Sequence, residues 1–176
     1  MTRVLSIEPD PEIAWVGVND AVMGGVSAGT AKRETDGAIV FSGTVSFERN
    51  GGFASARRPL AGPALSGLRA LRLHVLGDGK RYKLAAYTDA GASGFAYQAG
   101  FATSAGVLDI VVLPLSSFEA RFRGRPVGDA PPLEARAIRA VGFVIADRQD
   151  GPFRLRVEAI EGLLDEDGVA LSARTR

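Results

Sequence analysis

Apolar and polar residues alternate with a period of two through most of this chain, and few folds accept that pattern. Ile39, Phe41, Gly43, Val45 and Phe47 alternate with Val40, Ser42, Thr44 and Ser46. Leu71, Leu73 and Val75 alternate with Arg72 and His74. Phe95, Tyr97, Ala99 and Phe101 alternate with Ala96, Gln98 and Gly100, and Leu108, Ile110 and Val112 alternate with Asp109. Val141, Phe143 and Ile145 form another set, and Phe153, Leu155 and Val157 alternate with Arg154, Arg156 and Glu158. Successive side chains of an extended chain point to opposite sides, so each set predicts a strand that turns its first-named residues toward a core. Glycine, aspartate and asparagine separate the sets at Asp36-Gly37, Asn50-Gly51-Gly52, Gly77-Asp78-Gly79, Gly106 and Asp150-Gly151. About nine to eleven short strands at this spacing predict an all-β protein, an antiparallel β-sandwich, rather than βαβ units. Helical character is confined to Ser116–Phe122 and Pro132–Ala137, which predicts one or two short helical turns.

At 176 residues, 46% of them apolar, the chain is expected to fold as one domain with a substantial core. A polar tail over about residues 171–176 is expected to fray. No apolar run approaches the roughly 18 residues that span a bilayer. The first residues lack the apolar region of a signal peptide, so the reading is a cytoplasmic protein without membrane insertion. Zero cysteines exclude disulfides, thiolate metal sites and cysteine nucleophiles. A net charge of +1, from 21 basic and 20 acidic residues, gives no electrostatic case for nucleic acid. Arginine far outnumbers lysine, which points to GC-rich codons and a bacterial source.

Two stretches in the first third break the alternation. Trp15, Asn19, Asp20, Met23, Gly24, Gly25 and Ser27 belong to the first, and Asn50, Gly51, Gly52, Phe53, Ser55 and Arg57 to the second. Glycine pairs mark backbone that side chains disfavour, and the Asn, Asp and Ser residues bond backbone in turns. The expected role of these residues is therefore structural. W-x-x-V-N-D-x-V-M-G-G-x-S, followed by F-x-G-x-V-S and N-G-G-F-A-S-x-R, resembles the complex I intermediate-associated protein 30 family. Gly77 to Tyr82, Tyr97-Gln98, Leu113-Pro114, Arg123-Gly124-Arg125 and Gly151-Pro152-Phe153 fit it too, so the resemblance runs from about Trp15 to Ile160. It implies a jelly-roll sandwich of the galactose-binding-like type. It also implies a non-catalytic, chaperone-like role in assembling respiratory complex I, with complex I subunits or intermediates as protein partners.

Catalytic and metal patterns are weak. Gly25-Val26-Ser27-Ala28-Gly29 matches the nucleophile elbow, but the elbow needs a following helix and a histidine, and Thr30 to Glu34 read as an edge strand. The hydrolase that would use Ser27 is thus the remote alternative. His74, the only histidine, has no Cys or His companions for a zinc site. Gly77-Asp78-Gly79-Lys80 lacks the spacing of a phosphate-binding loop and reads as a hairpin turn. Asp165-Glu166-Asp167-Gly168 opens like a calcium loop without an acid to close it, and Asp147 and Asp150 flank a turn, where they read equally as metal ligands or as turn formers. No catalytic residue, metal or cofactor is therefore assigned, and the chain is read as no enzyme.

Arg72, His74, Lys83, Arg154 and Arg156 share the polar phase of their strands, and Gln98 joins them. If the strands are neighbours, they form one basic face suited to an acidic protein partner. The function expected is a protein-binding module. A carbohydrate-binding module is the alternative, disfavoured because most phenylalanines sit at core phase instead of offering stacking planes.

Overall fold

The computed structural model describes residues 2–6, 16–19, 28–46, 53–60, 67–88, 95–122, 125–146 and 149–165. Thirteen strands run through them: β1 (Thr2–Ser6), β2 (Val16–Asn19), β3 (Ala28–Arg33), β4 (Ile39–Val45), β5 (Ala54–Pro59), β6 (Leu68–Leu76), β7 (Arg81–Thr88), β8 (Ala96–Ala102), β9 (Leu108–Pro114), β10 (Glu119–Phe122), β11 (Arg125–Pro126), β12 (Ile138–Ile145) and β13 (Gly151–Asp165). They make two antiparallel sheets. Sheet A has the order β3-β4-β13-β6-β9, with β1 on the second half of β13, and sheet B the order β11-β10-β8-β7-β12-β5-β2.

The alternating residues meet between the sheets. Phe41 and Phe153 from sheet A enter one aromatic group with Tyr82, Phe101 and Phe143 from sheet B, and Phe41 and Phe153 stand 4.9 Å apart between ring centres. Leu71, Leu73, Val75, Leu84, Ile145 and Leu155 complete the packing and are fully buried. Each such side chain contributes about 1.5–3 kcal/mol relative to leaving it exposed. The sandwich read from the alternation is the fold observed.

The turn between β6 and β7 carries the chain from one sheet to the other. Asp78 fastens it: Oδ1 accepts the Lys80 N–H at 3.1 Å and the Tyr82 hydroxyl at 2.9 Å, and Oδ2 accepts the Arg154 N–H at 2.9 Å. The Thr103 hydroxyl donates to the Lys80 carbonyl at 2.7 Å and accepts the Gly79 N–H at 3.1 Å. A Cβ on Gly77 would fall 2.2 Å from that of Thr103, so this close approach requires glycine. The turn is therefore not the hairpin expected from the sequence, because β6 and β7 join different sheets and do not pair; it is a structural joint between the sheets.

Three local expectations are corrected. Ser116–Phe122 is not helical throughout: a single 3-10 turn, Leu115–Ser117, leads straight into β10, because Glu119–Arg121 pair with Gln98–Ala96 of β8. The second helical stretch reduces to the 3-10 turn Ala135–Ala137. In β9, Leu108, Ile110 and Val112 face solvent, while Asp109, Val111 and Leu113 take the inner side. Both phases of β9 carry apolar residues, so alternation alone does not choose between them.

Candidate functional site

A sandwich has two outer faces, and the polar-phase residues divide between them. On sheet A, the outward residues of β6 and β13 include Arg72, His74, Arg154 and Arg156. Strict alternation from Val157 would turn Glu161 inward. A register shift between Val157 and Ala159, a β-bulge, resets the phase, so that Ile160 enters the core and Glu161 comes out beside β6. Glu161 Oε2 accepts from Arg72 Nη2 at 2.8 Å, Oε1 accepts from Arg72 Nε at 3.3 Å, and Oε1 also bonds His74 Nε2. The Arg72 hydrogen bonds hold the Glu161 carboxyl below its ordinary value against partial desolvation, and His74 adds to the effect. Arg156 pairs with Asp36 and, at 2.7 Å, with Glu158. Asp36 is lowered first by the Ala38 N–H and then by Arg156. Three arginines thus share this face with three carboxylates, which makes it mixed in charge.

Lys83 and Gln98 lie elsewhere, on the outer face of sheet B. The structure therefore brings four of the six polar-phase residues together and leaves two on the opposite side of the sandwich. Alternation reports the side of a strand, not the sheet that the strand joins.

Sheet B gives its outer face a floor of small residues. Register places Gln98, Ala85, Gly142 and Arg57 in one row across β8, β7, β12 and β5. Glu119 extends the row on β10 and forms an ion pair with Arg121 at 3.0 Å. Gly142 is decisive. A Cβ there would fall 2.5 Å from the Ala56 carbonyl oxygen and 3.1 Å from Arg57 Cβ, so no other residue fits without moving β5. Over this bare position the exposed Arg57 reaches from β5 to β7, where its guanidinium carbon lies 5.4 Å from the centre of the Tyr87 ring. Burial raises the Tyr87 pKa, and the Arg57 charge opposes the rise. Ser55, two residues before Arg57, is outward yet buried at 8% exposure.

Of the motif residues, Ser55 and Arg57 are on β5, and half-buried Phe53 precedes it. Asn19 ends β2, whose backbone pairs with Ala54. Trp15, Asp20, Met23, Gly24, Gly25, Ser27, Asn50, Gly51 and Gly52 lie outside the described residues, as do Asp147, Glu166, Asp167 and Gly168. The element directly after Ser27 is strand β3, at the edge of sheet A, and not the helix of a nucleophile elbow. Among the described residues no three His, Asp or Glu side chains gather as a metal site, and no helix is long and apolar enough to cross a membrane. Sequence reasoning missed Tyr87, Gly142 and Glu161. Gly142, a lone glycine inside a strand pattern, was the one available signal of close approach.

The family model of complex I intermediate-associated protein 30 (CIA30) matches residues 7–157. The chain belongs to the CIA30 family. No curated protein sequence matches it significantly. Among solved structures, this CIA30 chain is similar to the family 11 carbohydrate-binding module of the cellulase Lic26A-Cel5E of Clostridium thermocellum, at 17% identity and a TM-score of 0.67, over 94% of this chain and 95% of that one. A family 11 carbohydrate-binding module from Clostridium thermocellum in complex with a β-1,3-1,4-mixed-linked tetrasaccharide is similar at 17% identity and a TM-score of 0.62, over 92% and 94%. A family 29 carbohydrate-binding module is similar at 12% identity and a TM-score of 0.55, over 97% and 99%. At these identities the likeness shows the shared jelly-roll fold, within which the CIA30 motif residues Ser55 and Arg57 stand on the outer face of sheet B.

Proposed function

We propose that this CIA30-family chain is a non-catalytic cytoplasmic module that binds another protein through the outer face of sheet B, in the manner of an assembly factor for a respiratory complex I subunit or intermediate. The observation that carries the reading is Arg57 held across Gly142 onto Tyr87. Arg57 is a motif residue, it is exposed, and among the described residues no carboxylate pairs with it. A planar guanidinium pre-set on a ring suits a carboxylate or carbonyl of a partner surface. Glu119, Arg121 and Gln98 add a polar rim to the small-residue floor.

The fold likeness to carbohydrate-binding modules raises the second reading, a sugar ligand on this same face. Sugars stack on open aromatic planes. Tyr87 is half-buried with Arg57 over its ring, and Tyr82, Tyr97 and Phe101 are buried. Phe122, at the end of β10, is exposed, but a single ring at a strand end is less than the open platform a sugar chain stacks on, so these observations favour a protein over a sugar.

The test is a pull-down from the native host, read by mass spectrometry, with wild type and Arg57→Glu, and a glycan array in parallel. Arg57→Glu should keep its circular dichroism spectrum and lose the specific protein partner. Equal recovery by both proteins removes the proposal, and binding to glycans alone replaces it with the sugar reading.

A further inference from the structure

Among the described residues, strand β9 closes one side of sheet A and pairs with β6 alone. Its outward side chains, Leu108, Ile110 and Val112, are 57%, 63% and 49% exposed. Edge strands are commonly blunted by lysine, an internal proline, a bulge or an inward-pointing charge. β9 reads Leu-Asp-Ile-Val-Val-Leu-Pro, with no lysine, no shift in register and proline only at its end, but with Asp109 on its inner phase, a charge that opposes pairing by any strand that brings no cation to meet it. Beside its inner phase runs a groove of about 330 Å³, between β9 and the end of β8. Phe101 and Val111 give the groove apolar walls, and Asp109 gives it a charge. Asp109 Oδ2 accepts the Ser104 N–H at 3.2 Å, and no cation of the described residues pairs with it.

We propose that β9 is a docking edge for an extended segment of a partner protein, apolar at every second position and with a lysine or arginine placed to meet Asp109. Main-chain hydrogen bonds to the open edge supply sequence-independent attraction, and pockets for alternate side chains supply selectivity. One set of partner side chains lies beside Ile110 and Val112, and the other enters the groove against Phe101 and Val111. A second copy of β9 is a poorer occupant, because it brings another aspartate and no cation to the groove. The proposal goes beyond the Arg57 face, which is on the other sheet, and does not rest on it.

The experiment selects a random peptide display library on the immobilised full-length chain. Enriched peptides should alternate apolar residues and carry one basic residue. A synthetic enriched peptide, followed by fluorescence anisotropy, should bind Ile110→Lys at least about tenfold more weakly than wild type. Asp109→Asn should erase its advantage over the analogue whose basic residue is alanine. Arg57→Glu should bind it normally, and amide exchange should slow in β9. Val112→Glu repeats the test should Ile110→Lys melt early. The proposal fails if no alternating peptide is enriched, if binding survives both edge substitutions, or if protection falls on β5. A protein that sediments as a dimer, and as a monomer after Ile110→Lys, overturns it in favour of self-pairing.

Discussion

The Arg57 guanidinium sits over the ring of Tyr87 although the strand β12 runs between their two strands. The contact joins a motif residue to a tyrosine that the motif does not contain. Its own contribution to stability is about 0.5–1 kcal/mol for a partly exposed pair, so Arg57→Ala should fold and melt close to wild type. The sensitive readout is the phenol. Burial raises the Tyr87 pKa and the Arg57 charge lowers it. Removing the charge therefore leaves burial unopposed and moves the pKa further up. Ultraviolet titration of wild type and Arg57→Ala, each compared with its Tyr87→Phe version, should show that rise. A fall, or no change, refutes the contact.

Gly142 makes that contact possible, and its replacement should be costly. A new Cβ would meet the backbone of β5, at the Ala56 carbonyl, and backbone cannot swing aside as a side-chain end does. Gly142→Ala should lose about 1–3 kcal/mol in urea denaturation, the usual range for forcing extra atoms into packed structure. Gly128, where a Cβ would meet nothing within 4 Å, is the control: Gly128→Ala should be nearly neutral.

The Glu161 cluster ties stability to acid. Its folded pKa is depressed, chiefly by the hydrogen bonds from Arg72. The stabilising contribution is then complete above the unfolded glutamate value of about 4.3 and is lost as pH falls through the lower folded value. Wild type should exceed Glu161→Gln in stability at neutral pH, and the gap should close only below about pH 4. Denaturant midpoints measured across pH check this, and a gap that closes well above that range contradicts it.

The strands were legible because the core residues sit at every second position. Phe153, Leu155 and Val157 announce β13 without ambiguity. The bulge after Val157 was not legible: Glu158 and Ala159 carry no glycine or proline signal, and the bulge is what sets Glu161 beside Arg72 and His74. β9 was legible as a strand but not in its facing, since Val111 and Leu113 compete with Ile110 and Val112 for the core. Lys83 and Gln98 share a phase with Arg72, yet sheet membership depends on long-range pairing, which local periodicity does not encode. Family resemblance located Arg57, and only the register across β12 revealed what it touches. Ser116–Phe122 read as helical from local propensity, and pairing with β8 overrode that in its second half.

Asp78 and Tyr82 should behave as one unit. The buried Tyr82 hydroxyl donates to Asp78 Oδ1, and burial together with the neighbouring carboxylate pushes its pKa up. Asp78 also holds the Lys80 and Arg154 backbone N–H groups, so it ties the turn between the sheets to β13. Asp78→Ala leaves three donors without this acceptor, one of them a buried hydroxyl, and should cost about 1–3 kcal/mol or more. Tyr82→Phe removes one donor and keeps the ring packed against Phe41 and Phe101, so it should cost about 0.5–1.5 kcal/mol. In the double variant the hydroxyl is gone and cannot be orphaned. Its loss should therefore fall short of the sum of the single losses, by about 0.5 kcal/mol or more. Chemical denaturation of the four proteins closes the cycle, and strict additivity would show that the hydroxyl and the carboxylate do not act on each other.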